Sequence, residues 1–415
     1  MTRKECWQEA FATNRIIKDL LLMLVCISCL VLIYRVTFSV DFTEHYWLYD
    51  LFGHWALGGY ALHGIDPFPQ IGAEIALLPE VGKIPAEWGA TPWGLLLGQL
   101  FYPSYLSFET AKVYFVLLNI TCLLCFLYVL HSVVIDISTV DKFLGYNVLI
   151  LAAVNDVYWE AMYTGNCGGM ICVFLIMACL LNLRYPILSG ILLGFAMVKP
   201  QTALLFCLAM LLAGRWKTLL TTSVMVIASW AFVALQVDTG FLELLSEFLT
   251  TNIGGGRAYP GIMEPFRVHY PQLNVMPLSI LFGVLFVWLM WRNRKGQTLY
   301  LYPLSLAAIA TAFWCYTWLL ERTILLLPAI VSLYFSTLEH SEREKLVFWC
   351  IAFYCSVNRT IITSIKILAN SINAINIDFY NAITIYHLGL ILCCLYLCRY
   401  GNWKKLDEDF LKRRV

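Results

Sequence analysis

SVDFTEHYWLYDLFGHWALGGYALHGIDPFPQ, residues Ser39–Gln70, gathers Asp41, Glu44, His45, Asp50, His54, His63 and Asp66 into one short stretch of an otherwise oily chain. Immediately before it, residues 20–38 form an apolar run long enough to cross roughly 30 Å of hydrocarbon. A polar, aromatic segment emerging from such a run reads as the first loop of a chain that crosses a membrane many times.

Composition agrees with that reading. Hydrophobic residues make up 60% of the 415 and charged residues 13%, with a mean hydropathy of +0.72, outside the range of a soluble domain. A net charge of +1 leaves no basic face for nucleic acid, and the basic residues instead form short clusters between apolar runs. Most of the 15 cysteines, Cys122, Cys172 and Cys394 among them, fall in apolar runs, where a thiol is a small hydrophobe. No cysteine pair has a second pair or histidines at zinc spacing, and no outer loop carries a D-x-D pair, so neither a metal nor a cofactor is expected.

The basic clusters set the topology. Arg3, Lys4, Arg15 and Lys18 precede the first run and hold the N-terminus in the cytoplasm, so Asp41 emerges on the outer face. The run lacks a small-residue cleavage site and reads as a retained helix. Eleven further spans are expected at 109–132, 145–161, 168–184, 186–199, 200–214, 216–236, 276–291, 299–316, 318–338, 345–365 and 379–398. This register leaves Arg184, Arg215, Lys217, the cluster Arg292–Lys295 and the tail in the cytoplasm. The expected fold is an all-α polytopic bundle of about 12 transmembrane helices. It is a single domain of the inner or plasma membrane, with a first outer loop at 39–108, a second at 237–275 and a cytoplasmic tail at 399–415. Aromatic and apolar residues at helical spacing in the first loop, Tyr46, Tyr49, Leu51, Trp55 and Leu62, predict amphipathic helices lying in the interface. The apolar piece at 91–102 is too short for a span and reads as juxtamembrane or re-entrant.

Several polar features then converge on the outer face. These are the first loop, the turn YTGNCGG after Asp156 and Glu160, the break at Lys199-Pro200-Gln201, the loop at 237–275, and Glu321-Arg322 near the outer end of a span. A proline break frees backbone groups that must be satisfied inside protein or beside water, which suits a cavity wall. Ionisable residues near membrane depth are costly, which makes Lys199, Glu321 and Arg322 functional candidates; the structural alternative is a Glu-Arg pair tying helices together.

The order of these features resembles the membrane-embedded GT-C glycosyltransferases, and within them glycosyltransferase family 87, the branch that includes polyprenyl-phosphate-mannose-dependent mannosyltransferases. The resemblance rests on an Asp after the first helix, the turn Gly64-Ile65-Asp66-Pro67-Phe68, a Gly-Asn turn, and LSGILLGFAMVKPQTALLF (Leu188–Phe206) ahead of Arg215-Trp216-Lys217. TWLLERTILLLPAI (Thr317–Ile330) resembles the branch's late motif, with Arg322 in the place of a histidine. The usual Gly-Gln-x-Asn turn reads Gly165-Asn166-Cys167-Gly168. These two departures leave the donor sugar open.

The resemblance implies transfer of a mannose-like pentose or hexose, with inversion, from a polyprenyl-phosphate donor to a lipid-linked or glycan acceptor on the outer face. Asp41 holds the family's position for the general base that takes the acceptor's proton, against the plainer reading of a cap on helix one. Asp50 and Asp66 rank behind it, Asp66 because Asp-Pro makes such a turn for local reasons. Lys199, Gln201, Arg257, Arg267, His269, Glu321 and Arg322 are the candidates for the donor's phosphate or sugar. Glu44, His45, Asp66 and Asn166 are candidates for acceptor or secondary contacts. The implied partners are membrane lipid, the lipid-linked donor and the acceptor. A transporter or lipid flippase is the competing class, which predicts two halves with matched broken helices.

Overall fold

The computed structural model describes residues 48–73, 76–79, 81–84, 90–137, 151–153, 155–253, 272, 274, 276–292, 301–313, 319–371, 379–402 and 404–405. Among these residues the chain is helical, and one isolated bridge, Ile71 to Ile84, is the only extended pairing. The expected first span and Asp41, Glu44, His45, Arg257, Arg267 and His269 lie outside the described residues.

The centre is α5 (Gly168–Leu181), apolar at every position except its opening glycines and buried on nearly all sides. A helix without a polar face must be enclosed. Around α5 stand α3 (Phe108–Ile137), α4 (Asp156–Thr164), α6 (Pro186–Ala196), α7 (Pro200–Leu212) and a 3-10 segment over Leu319–Leu325. Prolines at the first positions of α6 and α7 start those helices where a missing N–H costs nothing. α8 (Trp216–Gln236) lies along α6, and Gly190 is where they touch: a Cβ there would sit 2.7 Å from the carbonyl oxygen of Thr218. Small residues bring the two backbones together without a hydrophobic driving force, as membrane helices require. Thr222 donates to the Gly190 carbonyl across the contact at 2.9 Å.

Three described helices are long and apolar enough to cross a membrane: Phe108–Ser132, Trp216–Gln236 and Asn381–Tyr400. On the first, Val113, Leu117, Leu124 and Tyr128 are exposed, and on the second Leu220, Val224 and Ile227, an outward apolar stripe at helical spacing that lipid would cover. Of the twelve expected spans, these three are long and apolar enough among the described residues. α6 and α7, expected as separate spans, have 11 and 13 residues. They are about 17 and 20 Å long, short of the hydrocarbon thickness. The chain breaks between them at Lys199, the residue that precedes Pro200. A second break lies inside the expected span 345–365, where α13 (Glu342–Ser356) and α14 (Asn358–Ser371) meet at 90°. The stretch expected at 318–338 divides into the 3-10 segment and α12 (Leu326–Phe335).

The first loop also differs from expectation. α1 (Tyr49–Leu62) is no interfacial helix with one face in lipid. Leu51, Gly53, Trp55, Ala56, Leu57 and Tyr60 are buried around most of its circumference. The reason is its glycines: Gly58 leaves room for Gln99 and Ser104 against the helix, so a face that reads as solvent-directed takes protein instead. The piece expected to be juxtamembrane or re-entrant is two helical turns, α2 (Gly94–Leu97) and a 3-10 turn over Gly98–Leu100. Trp93 donates its indole N–H to the Met197 carbonyl at 2.7 Å and so anchors this piece two residues before the Lys199 break. Trp55 and Trp159 likewise donate to backbone carbonyls, of Leu106 and Ala153.

Candidate active site

The site is assembled by three backbone features. The first is the turn between α4 and α5. Asn155 caps α4 by accepting the Tyr158 N–H, and Gly165 ends it with φ +78°. A Cβ on Gly165 would lie 2.9 Å from Leu48 Cα, Leu51 Cβ and Leu51 N, so only glycine lets the start of α1 rest on this turn. The Leu48 N–H donates to the Tyr163 carbonyl at 3.2 Å, fixing the approach. The second is the α6–α7 break, which presents Lys199. The third is the 3-10 segment, which presents Glu321 against α5, held by a bond from the Cys172 thiol to the Glu321 carbonyl at 3.0 Å.

Four side chains meet where these features converge. Lys199 Nζ lies 2.8 Å from Glu321 Oε1 and donates at 2.7 Å to Asn166 Oδ1. Asn166 Nδ2 donates in turn to Asp50 Oδ2 at 2.6 Å. Asn166 Oδ1 also accepts the Gly168 N–H at 2.7 Å. Glu321 is 2% exposed and Asn166 8%. Buried charges persist where they are paired and hydrogen-bonded, and this chain of contacts meets that condition for Lys199. Burial, the largest influence, raises the Asp50 carboxyl above the usual range, against the Asn166 bond and the Lys199 charge. One turn along α1, His54 stacks on Tyr102 with ring centroids 4.6 Å apart. Burial first, then the Lys199 charge, depresses the His54 imidazole to about 3, so it is neutral at physiological pH.

Of the residues singled out from sequence, Lys199, Glu321 and Asn166 are brought together, and Asp50 joins them. Arg322 is not paired with its neighbour Glu321, which corrects the tying-pair reading. Its guanidinium is fully buried and lies over the Tyr386 ring at 5.7 Å. None of its three nitrogens has a hydrogen-bond partner among the described residues. Gln201 is half-buried in the first turn of α7. Asp66 stands apart, its Oδ1 accepting the Phe68 N–H at 2.9 Å in a local turn ahead of the 3-10 segment Phe68–Gln70.

Asp66 instead faces α9 (Phe241–Ile253), where a hydrogen bond with it, then burial and the charges of Asp66 and Glu243, raise the Glu247 carboxyl to about 7. A raised carboxyl contributes fully below its ordinary value of 4.5 and loses that contribution as pH rises through about 7, when both carboxylates carry charge. Hydrogen exchange in residues 244–250 is expected to accelerate between about pH 4.5 and 7 beyond the intrinsic rate and to level off above that, and Asp66→Asn is expected to remove that step. A step that survives the substitution would place its origin elsewhere.

Tyr102 is not singled out by the sequence, and the sequence does not show that Asp50 and His54 stand together beside Lys199 and Asn166. The available signal was the four-residue interval between Asp50 and His54 on one helical face.

With this geometry in place, comparison with known proteins decides the family. The sequence model of glycosyltransferase family 87 matches residues 92–300, half of the chain. The chain belongs to glycosyltransferase family 87. No curated protein and no solved structure matches it. The family 87 match contains Asn166 and Lys199, and the family makes this chain a membrane glycosyltransferase. The transporter reading gives way to a transferase.

Proposed function

We propose that this family 87 protein moves a mannose-like sugar from a polyprenyl-phosphate donor to a lipid-linked or glycan acceptor on the outer face, with inversion, and that Asp50 is the general base. The acceptor hydroxyl attacks the anomeric carbon and the bond from that carbon to the phosphate oxygen breaks. The electron pair leaves with the lipid phosphate, and the hydroxyl proton passes to the base. A hydroxyl is a weak nucleophile, so a carboxylate within hydrogen-bond reach must take the proton as the new bond forms. The observation carrying this reading is that Asp50, half-buried and with its carboxyl raised, shares one hydrogen-bonded cluster with Asn166 and Lys199, both inside the matched segment. Asp41, nine residues upstream and outside the described residues, is the competing base.

The leaving phosphate needs a cation whose charge is not already matched. Lys199 is matched by Glu321, whereas the Arg322 guanidinium has unfilled donors, so Arg322 is the favoured phosphate partner among the described cations. Its planar fork suits two phosphate oxygens at once. Arg257, Arg267 and His269 remain candidates from the second outer loop. Purified protein in nanodiscs, given polyprenyl-phosphate [14C]mannose and an alkyl mannoside, is expected to form a labelled disaccharide glycoside. Movement of the labelled lipid across proteoliposomes with no transfer would overturn the reading.

A further inference from the structure

We infer that Asn166 is a positioning residue, an amide relay through which the Lys199–Glu321 pair sets the aim and the basicity of Asp50. The inference rests on the assignment of Asp50 as base. Asn166 has one tenable orientation. Its Oδ1 accepts from the Gly168 N–H and from Lys199 Nζ, each at 2.7 Å, which leaves Nδ2 facing Asp50 Oδ2 at 2.6 Å. Turning the amide over would set its NH2 against an ammonium and a backbone N–H, donors against donors. The relay thus commits one oxygen of Asp50 and leaves Oδ1 to receive a proton.

The glycine at 168 exists for this contact. A Cβ there would stand 2.9 Å from Asn166 Oδ1 and 3.5 Å from both Lys199 Nζ and Glu321 Oε1, so any larger residue would push into the relay.

The charges facing Asp50 among the described residues come from separate elements. Lys199 on the α6–α7 break favours the ionised carboxylate, and Glu321 on the 3-10 segment opposes it. His54, on α1 itself, is neutral. Burial holds the Tyr102 phenol and the Cys167 thiol in their neutral forms as well. Basicity at Asp50 is therefore set by burial first, then by one amide bond, and then by a cation and an anion of opposite effect.

Infrared difference spectra test this without any substrate. Wild type minus Asp50→Asn isolates the Asp50 carboxyl band, and its pH titration in nanodiscs gives a midpoint. Glu321→Gln keeps an acceptor for Lys199 but removes the opposing charge, and is expected to lower that midpoint by about half a unit to one unit. Asn166→Ala removes the bond that favours the ionised form and is expected to raise it by about one unit. A midpoint unmoved by Glu321→Gln would overturn the relay. Were that variant not to fold, an unmoved midpoint in Asn166→Ala would overturn it equally. The base assignment is tested separately, by whether Asp50→Asn abolishes transfer, so the two ideas fail independently.

Discussion

Asp50→Asn is expected to lower the rate of sugar transfer by about 10²–10⁴, the contribution of a positioned general base, while leaving donor binding and folding intact. Asparagine matches the carboxylate in shape, and its carbonyl oxygen can still accept from Asn166 Nδ2, so the 2.6 Å contact has a successor. Only basicity is lost. The comparison that decides the assignment is Asp41→Asn, made and assayed in parallel. If transfer survives Asp50→Asn and disappears with Asp41→Asn, the base is Asp41, and Asp50 becomes a structural acceptor for Asn166. Wild-type transfer is also expected to fall on the acid side at a pH above the ordinary carboxylate range, because burial raises Asp50 and a protonated carboxyl accepts no proton. The limb should vanish from the residual activity of Asp50→Asn.

Much of this candidate site is legible in the sequence. Lys199 announced itself through the proline that breaks α6 from α7. Asn166 was marked by a Gly-Asn turn, and Glu321 by charge in an apolar run. Each signal is local, and each follows from the cost of placing a polar or helix-breaking residue where it stands. The place of Asp50 in this cluster is not legible in the same way. Asp41 directly follows an apolar run, which looks like the emergence point of a catalytic loop, whereas Asp50 lies inside an aromatic helix. What gives Asp50 its environment is a partner 116 residues away, brought in by the left-handed turn at Gly165. Periodicity cannot report a contact of that kind.

The fold was legible unevenly for a related reason. Hydropathy identified the apolar helices, but hydropathy cannot separate a helix buried in protein from one exposed to lipid, since both exclude polar side chains. The buried α5 and the lipid-length α3 therefore read alike. The misreading of α1 has a different cause. Its aromatic residues do recur at helical spacing, yet Gly58 and Gly59 let Gln99, Ser104 and Val81 pack close against the helix.

The second large effect concerns stability. Lys199→Ala leaves Glu321 buried, 2% exposed, with Oε2 already lacking a hydrogen-bond partner among the described residues and Oε1 now deprived of its cation. Removing one member of a buried ion pair typically costs about 3–5 kcal/mol, most of it the desolvation of the charge left behind. Lys199→Ala is accordingly expected to unfold well below wild type in a thermal scan in detergent. The double substitution Lys199→Met, Glu321→Leu removes both charges and keeps the volume, and it is expected to return stability to within about 1 kcal/mol of wild type, or to exceed it. Its transfer activity is expected to stay low, because Asn166 has lost the cation that helps aim its amide at Asp50. Stability without activity in the double variant would assign the pair to function. Stability and full activity together would reduce the pair to a fastening between α7 and the 3-10 segment. A single variant as stable as wild type would show that the pair is solvated and that the buried cluster is wrong at its centre.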